Sequence, residues 1–365
     1  MKICFLAAAD SIHSHRWIRY FALRGHEVHW LSLVPPEPPP DKEIHFCLFK
    51  GTGLRQLDTP LGVPFVRAWI KKIKPDILHA HYAGAYGLMG ALASFHPFIL
   101  TAWGSDILFA GKNQLTGYFV RYALKKADII TCDALHMTRA MMAMGVEEKR
   151  IRLIRFGIDT DLFSPAAKGE SNIRRRLALG DEMVIISMRN HEPVYDLATL
   201  IRAVPLVLRE APEVRFVIAG AGTQTQELKA LAITSAVMEN IVFTGRIPND
   251  ELPGYMRMAD IYVSTSLSDA GIAASTAEAM SCGLPVVVTD SGENREWIVE
   301  GESGFIVPLS DPEALASRIL VLIRDEDSRR TLGKVGRQTI RTSNDYFAEM
   351  GKMEDLYRKA IGRER

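Results

Sequence analysis

Between Ser268 and Gly292 the chain reads SDAGIAASTAEAMSCGLPVVVTDSG. Side chains of almost no volume stand in front of a single carboxylate, Glu278. Small residues that open a helix leave its first N–H groups bare at the positive end of the dipole, where a phosphate or a hydroxyl can approach the backbone. Gly271, Ile272 and Ala273 supply that loop, with Asp269 at its entrance. Glu278, one turn inside the helix, can accept two hydrogen bonds from a ribose diol. The plainer alternative is a small-residue helix packed tightly on a sheet. Arg189, in SMRNHEPVYDLATL, follows a strand pattern and can hold a phosphate through two donors, or can serve a surface ion pair. Gly220 and Gly222 in AGAG make a tight turn but lack the longer dinucleotide fingerprint, so a nicotinamide enzyme is not expected. In HAHY, His79 and His81 project to one side of a strand. His13, His15 and His81 lack carboxylates at ligand spacing, so no metal and no other cofactor is expected.

These residues need a scaffold. KICFLAA, HEVHWLSL, DILHAHY, FILTAW, DIITCD and IRLIRFG read as strands, and helical patterns such as SHRWIRYFALRG and LTGYFVRYALKKA separate them. After the linker AAKGESN a second series runs from MVIISMR to GFIVPL with helices between. Strands alternating with helices imply parallel sheets covered on both faces. The chain is therefore expected to hold an α/β fold of two Rossmann-like, doubly wound domains facing a central cleft: residues 1–165, residues 166–343, and a helix over 344–365 that crosses back to the first domain.

Composition narrows the class. No apolar run is long enough for a membrane span or a signal peptide, and four scattered cysteines fit free thiols in a reducing compartment. Charge is divided: residues 1–160 carry 20 Lys+Arg against 13 Asp+Glu, and the remainder 24 against 30. Nine of the ten histidines also lie in the first part. A basic first domain suits an anionic surface, and several cations fall in two helical stretches with apolar neighbours: Arg67, Lys71, Lys72 and Lys74 near Phe65, Trp69 and Ile70, then Arg121, Lys125 and Lys126 near Phe119, Val120 and Leu124. No interleaved arginines and aromatics point to nucleic acid.

The block EAMSCGLPVVVTDSGENREWIVEGESGFIVPLSDPEAL, with PDILHAHY, GSD, RFGIDTDLFSP and IVFTGRIPNDELPGYMRMADIYVSTS in order, resembles the retaining glycosyltransferases of family 4, which have the GT-B fold. The resemblance covers nearly the whole chain. It implies a nucleoside diphosphate sugar as donor. It also implies that Gly245, Arg246 and Ile247 hold the base, that Glu192 and Gly220 belong to the donor loops, and that His81 stands near the reacting carbon. The first glutamate of the family's pair falls on Ala270, with Asp269 one residue out of phase. The lysine that follows the family's arginine is here Tyr195, which leaves Arg189 as the retained cation. In the first domain, Ser11 and His13 lie in a loop that is glycine-rich in relatives. Trp103 replaces a frequent histidine and Asp106 matches, which makes these four the acceptor-side candidates.

The expected activity is retaining transfer of a hexosyl or N-acetylhexosaminyl group to a glycan or lipid-linked acceptor, in cell-surface polysaccharide or glycolipid synthesis. The expected location is cytoplasmic, peripheral on the inner face of the membrane. Arg189 and His81 are the candidates for chemistry. Two rivals remain, a nucleotide-sugar epimerase of the same fold and a non-catalytic partner of another transferase.

Overall fold

A computed structural model describes the chain apart from residues 53–54, 109–113, 166–171, 270 and 363–365, and apart from the side chains of 55–57 and 114–115. Ala270 and nearly all of the expected linker thus lie outside the described residues. The chain forms two compact units, Met1–Phe156 with Phe347–Arg365, and Gly157–Tyr346.

In the first unit, strands β1 (Lys2–Leu6), β2 (Glu27–Ser32), β3 (Ile44–Leu48), β4 (Ile77–His81), β5 (Phe98–Thr101), β6 (Ile129–Cys132) and β7 (Ile151–Leu153) form a sheet ordered β3-β2-β1-β4-β5-β6-β7. In the second, β8 (Val184–Met188), β9 (Arg215–Ala219), β10 (Ile241–Gly245), β11 (Ile261–Ser264), β12 (Val286–Thr289) and β13 (Phe305–Val307) are ordered β10-β9-β8-β11-β12-β13. All pairings are parallel. The central strands ILHAH and VVVT are buried at every residue, as strands with helices on both faces must be.

The first sheet packs one apolar cluster that includes Leu78, Leu100, Met89 and Val120. The second sheet has a cluster on each face, one around Ile201, Phe216 and Ile319, the other around Tyr262, Met280 and Val286. Sequence reading puts the change of domain near residue 165, but the units change over at Phe156. The reason is that Ile158 and Phe163 are buried in a cluster of the second unit, and Ile158 N–H donates to the Asn344 carbonyl at 2.7 Å.

Among the described elements without a counterpart in the sequence reading are β3 and two long helices of the second unit. β3 is an edge strand whose Phe46, Cys47 and Leu48 are only half-buried, so its apolar pattern is weak. Helices Pro312–Arg324 and Glu326–Ser343 carry cap signals that could have found them: Asp311 accepts from Ala314 N–H at 2.8 Å and Asp325 from Ser328 N–H at 2.9 Å.

Candidate functional site

In the second unit the strand order turns at β8, which has β9 on one side and β11 on the other. A crevice opens beyond the carboxyl ends of strands at such a point. The loop after β8 brings Arg189, and the segment after β11 brings Asp269 and the helix Ala274–Ser281. These meet. Arg189 Nη2 donates to Asp269 Oδ1 at 2.5 Å, and Nη1 donates to Ser275 Oγ at 3.4 Å. The guanidinium lies over the Tyr195 ring, 4.2 Å from its centroid. Tyr195 therefore supplies an aromatic face in place of a second cation. The Arg189 side chain is only 9% exposed, yet its Nε–H has no hydrogen-bond partner among the described residues. Beneath it Tyr262, fully buried, shares a hydrogen bond of 2.7 Å with Ser275 Oγ, and burial raises its phenol above the ordinary value.

The helix Ala274–Ser281 begins at the residue the small-residue pattern suggests, and its N-cap Ala273 provides no side-chain acceptor. Among the described residues the N-cap thus offers the helix's first N–H groups no side-chain acceptor, which leaves room for an outside one. The far end is braced. Arg337 donates to the carbonyls of Ser281 and, at 3.2 Å, Phe163, a cation at the negative end of the dipole. Gly333 allows the next helix to approach, since a Cβ there would lie 2.0 Å from the Gly283 carbonyl. Ile272 packs on the cluster around Tyr262 and anchors the loop, while Glu278 is half-buried one turn in.

A second layer holds these loops. Gly220, at φ +124°, passes so near the Arg189 carbonyl that a Cβ would lie 2.2 Å away, and its N–H donates to the Gly245 carbonyl at 2.8 Å. Glu192 is spent on Thr223, accepting from its N–H at 2.9 Å and its hydroxyl at 2.5 Å, and these bonds hold its carboxyl below the usual range. Glu192 is thus a fastener between the loops after β8 and β9. Gly245 ends β10 with open space around it, Arg246 is exposed, and Ile247 joins the apolar cluster.

The first unit gathers rings at the end of β4. His81 is 2% exposed and lies among Phe5, Trp17, His79 and Trp103, with centroids 4.6–5.8 Å away. Neither ring nitrogen has a hydrogen-bond partner among the described residues. Burial, with a smaller push from His13, lowers its pKa to about 3. His79 is fully paired instead: Nδ1 meets the Tyr357 hydroxyl at 2.5 Å and Nε2 the Thr101 hydroxyl at 2.7 Å. His13 stacks on Trp103 at 5.3 Å and meets the edge of Phe156 at 4.5 Å. Ser11 caps the helix Ile12–Leu23 through Ser14 N–H at 3.5 Å. Asp106 accepts from the N–H groups of Ala83 at 2.6 Å and Trp103 at 3.0 Å, so it fixes the loop that carries Trp103.

Sequence reasoning singled out Arg189 and Asp269 but not their pairing, and it did not single out Ser275, Tyr262, Thr223 or Gly292, which the structure brings beside them or beside their loops. Gly292 could have been suspected from its place after a strand. It sits at φ +57°, where a Cβ would crowd the carbonyls of Asp269 and Gly271 at 2.7 and 2.8 Å.

Comparison with known proteins fits this architecture. Residues 170–339 match the family Glycosyl transferases group 1, and residues 2–134 match Glycosyl transferase 4-like. The chain is 32% identical over 266 residues to a GDP-mannose-dependent alpha-(1-6)-phosphatidylinositol monomannoside mannosyltransferase of Mycolicibacterium smegmatis, covering 69% of this chain and 70% of that protein. The Mycobacterium tuberculosis protein of the same name is 26% identical over 208 residues, covering 55% of this chain, and the match spans only about half, 54%, of that relative. The crystal structure of Anabaena HepE in complex with UDP superposes with a TM-score of 0.83 over 98% of this chain and 100% of that one, at 19% identity. The fold is GT-B, with two Rossmann-like parallel-sheet units.

Proposed function

Because the chain belongs to the family Glycosyl transferases group 1, we propose that it moves a hexosyl group, with retention, from a nucleoside diphosphate sugar to an acceptor hydroxyl. The observation that carries this reading is Arg189, buried with an unpartnered Nε–H beside the uncapped start of helix Ala274–Ser281. A buried guanidinium and bare helix N–H groups together make a receptor for a diphosphate. In the reaction the bond from the anomeric carbon to the phosphate oxygen breaks and the acceptor oxygen bonds on the same face. The acceptor proton passes to the leaving phosphate. The protein positions the partners and offsets the charge that grows on the diphosphate. Arg189, Ser275 and the amides of Gly271 to Ala273 serve that charge. Glu278 accepts from the ribose, the backbone of Gly245 to Ile247 borders the base, and Asp269 faces the sugar. His81, His13 and Trp103 are the first unit's candidates for the acceptor side of the reaction. The relative's dependence on GDP-mannose makes that donor the first to try, with UDP sugars next.

Transfer is proposed to serve glycolipid or cell-surface glycan synthesis at the inner face of the cytoplasmic membrane. Among the described residues no helix is long and apolar enough to cross a membrane. Helix Gln114–Lys126 exposes Tyr118 and Phe119 beside Arg121, Lys125 and Lys126, and helix Arg55–Ile73 exposes Leu61 and Phe65 beside Lys71 and Lys72. Val120, Leu124 and Ile70 face the core instead. Each such cation contributes about 1 kcal/mol near an anionic surface. Sedimentation with anionic vesicles, lost at high salt, supports this attachment; equal binding to neutral vesicles removes it.

The activity is tested by thermal shift with GDP and UDP sugars, then by product analysis of labelled donor with and without lipid-linked acceptors. Acceptor-dependent transfer is expected. Conversion of donor without acceptor would indicate an epimerase, and absence of any donor binding would overturn the reading.

A further inference from the structure

The pairing of Arg189 with Asp269 has a cost that the donor site must meet. Nη2 of Arg189 faces Asp269 Oδ1 at 2.5 Å, and the two side chains are 9% and 13% exposed. The face of the guanidinium is covered by Tyr195, and Nη1 reaches Ser275 Oγ at 3.4 Å. Ser275 is itself held by Tyr262 at 2.7 Å. The arginine is thus immobilised on several sides, and the strong acceptor on it is a carboxylate of the same chain. An incoming phosphate oxygen needs the same donor, and two anions cannot both sit on it without repulsion.

The backbone of Asp269 has contacts of its own, separate from those of its carboxylate. Its carbonyl closes against Gly292, where a Cβ would come within 2.7 Å, and Glu293 N–H reaches the neighbouring Gly271 carbonyl at 3.4 Å. Rotation of the side chain alone would free Arg189 and leave these backbone contacts as they are.

Resting on the donor-site reading above, we propose that Asp269 is an internal stand-in for the donor's phosphate: it occupies Arg189 in the empty site, yields it to the diphosphate, and turns to the hydroxyls of the transferred sugar. The exchange discriminates between donor and product. A nucleotide sugar offers Asp269 new hydrogen-bond donors once it has left Arg189. A nucleoside diphosphate without the sugar offers none, so the displaced carboxylate competes to regain the arginine. The pair thus favours release of spent nucleotide over release of donor, from one carboxylate and without a moving domain.

The test measures binding by calorimetry for wild type, Asp269→Asn and Asp269→Ala, with GDP, UDP and inorganic pyrophosphate as probes. Folding is checked by circular dichroism. Loss of a competing charged hydrogen bond should tighten the nucleoside diphosphate that binds by about tenfold or more. Product inhibition of turnover should strengthen in parallel, while affinity for the intact donor gains less. Unchanged or weaker diphosphate binding in both variants overturns the proposal, because Asp269 would then only hold Arg189 in place. Pyrophosphate tightening without any nucleotide binding would support the exchange at Arg189 and sink the nucleotide-donor reading instead.

Discussion

Acidification should unfold the first unit earlier than its carboxylates alone would dictate, and His81 supplies a measurable share. Its ring is 2% exposed, its nitrogens lack partners, and burial lowers its pKa to about 3. An unfolded histidine titrates near about 6.5. The folded value lies below the unfolded one, so the stabilisation is complete above that unfolded value and is lost as pH falls towards the folded one. At pH of about 5 the unfolded chain has bound nearly one proton here that the folded chain has refused. About 1.5 pH units at about 1.36 kcal/mol each gives roughly 2 kcal/mol. His79, fully buried beside it, is also lowered and works in the same direction. Urea unfolding followed by tryptophan emission reports mainly this unit, since Trp17, Trp30, Trp69 and Trp103 lie in it and Trp297 alone lies in the other. His81→Gln removes the titration but not the bulk. The stability difference between wild type and variant should therefore change by about 2 kcal/mol between pH of about 7 and 5. Parallel pH dependences in the two proteins would refute a buried neutral His81.

Arg189→Ala should lower kcat/KM at least about 30-fold, corresponding to about 2 kcal/mol of lost charge stabilisation; a wild-type value would remove Arg189 from the reaction. Glu278→Gln should raise the donor KM with little change in kcat, because a ribose contact is equal in ground and transition states, whereas a large fall in kcat would put Glu278 on the reacting sugar. Gly220→Ala places a Cβ 2.2 Å from the Arg189 carbonyl at φ +124°, so a loss above about 1 kcal/mol is expected together with a weaker thermal shift by nucleotide. Both quantities unchanged would mean that the loop crossing is slack. Tyr357→Phe should cost about 1–3 kcal/mol by stripping a partner from buried His79, read as a lower urea midpoint in tryptophan emission; an unchanged midpoint would deny that bond any weight.

The two parallel sheets were legible because each strand writes a short apolar run and each helix a periodic one. MVIISMR and PVVVTD needed no tertiary information to be read as buried strands. The small-residue loop before Glu278 was legible for a similar reason, since its lack of side chains is itself the signal. The family's motifs located Arg189, Tyr195 and Asp269 one by one. What stayed hidden were relations between distant residues. Arg189 and Asp269 are 80 positions apart, and His79 and Tyr357 are 278 apart. No local pattern predicts such pairs. The same blindness hid the internal partners of Glu192 and Asp106. Their carboxylates are bound by Thr223 and by the amides of Ala83 and Trp103, partners that only the folded loops bring near.

The helix Tyr346–Gly362 closes the first unit from far along the chain. Met350, Met353 and Tyr357 are fully buried, and Glu349 accepts from Arg155 N–H at 2.9 Å. During synthesis, therefore, the unit made first is the one completed last. Tyr357 follows Phe156 by 201 residues, the difference of the two numbers. At about 5–20 residues per second that is roughly 10–40 s in which Phe21 and His79 stand without the ring that covers them, while the whole of the second unit's chain is made. The nascent first unit spends that interval with an open apolar groove. A chaperone, or the membrane beside the ribosome, has that long to engage it before the chain's own last helix does.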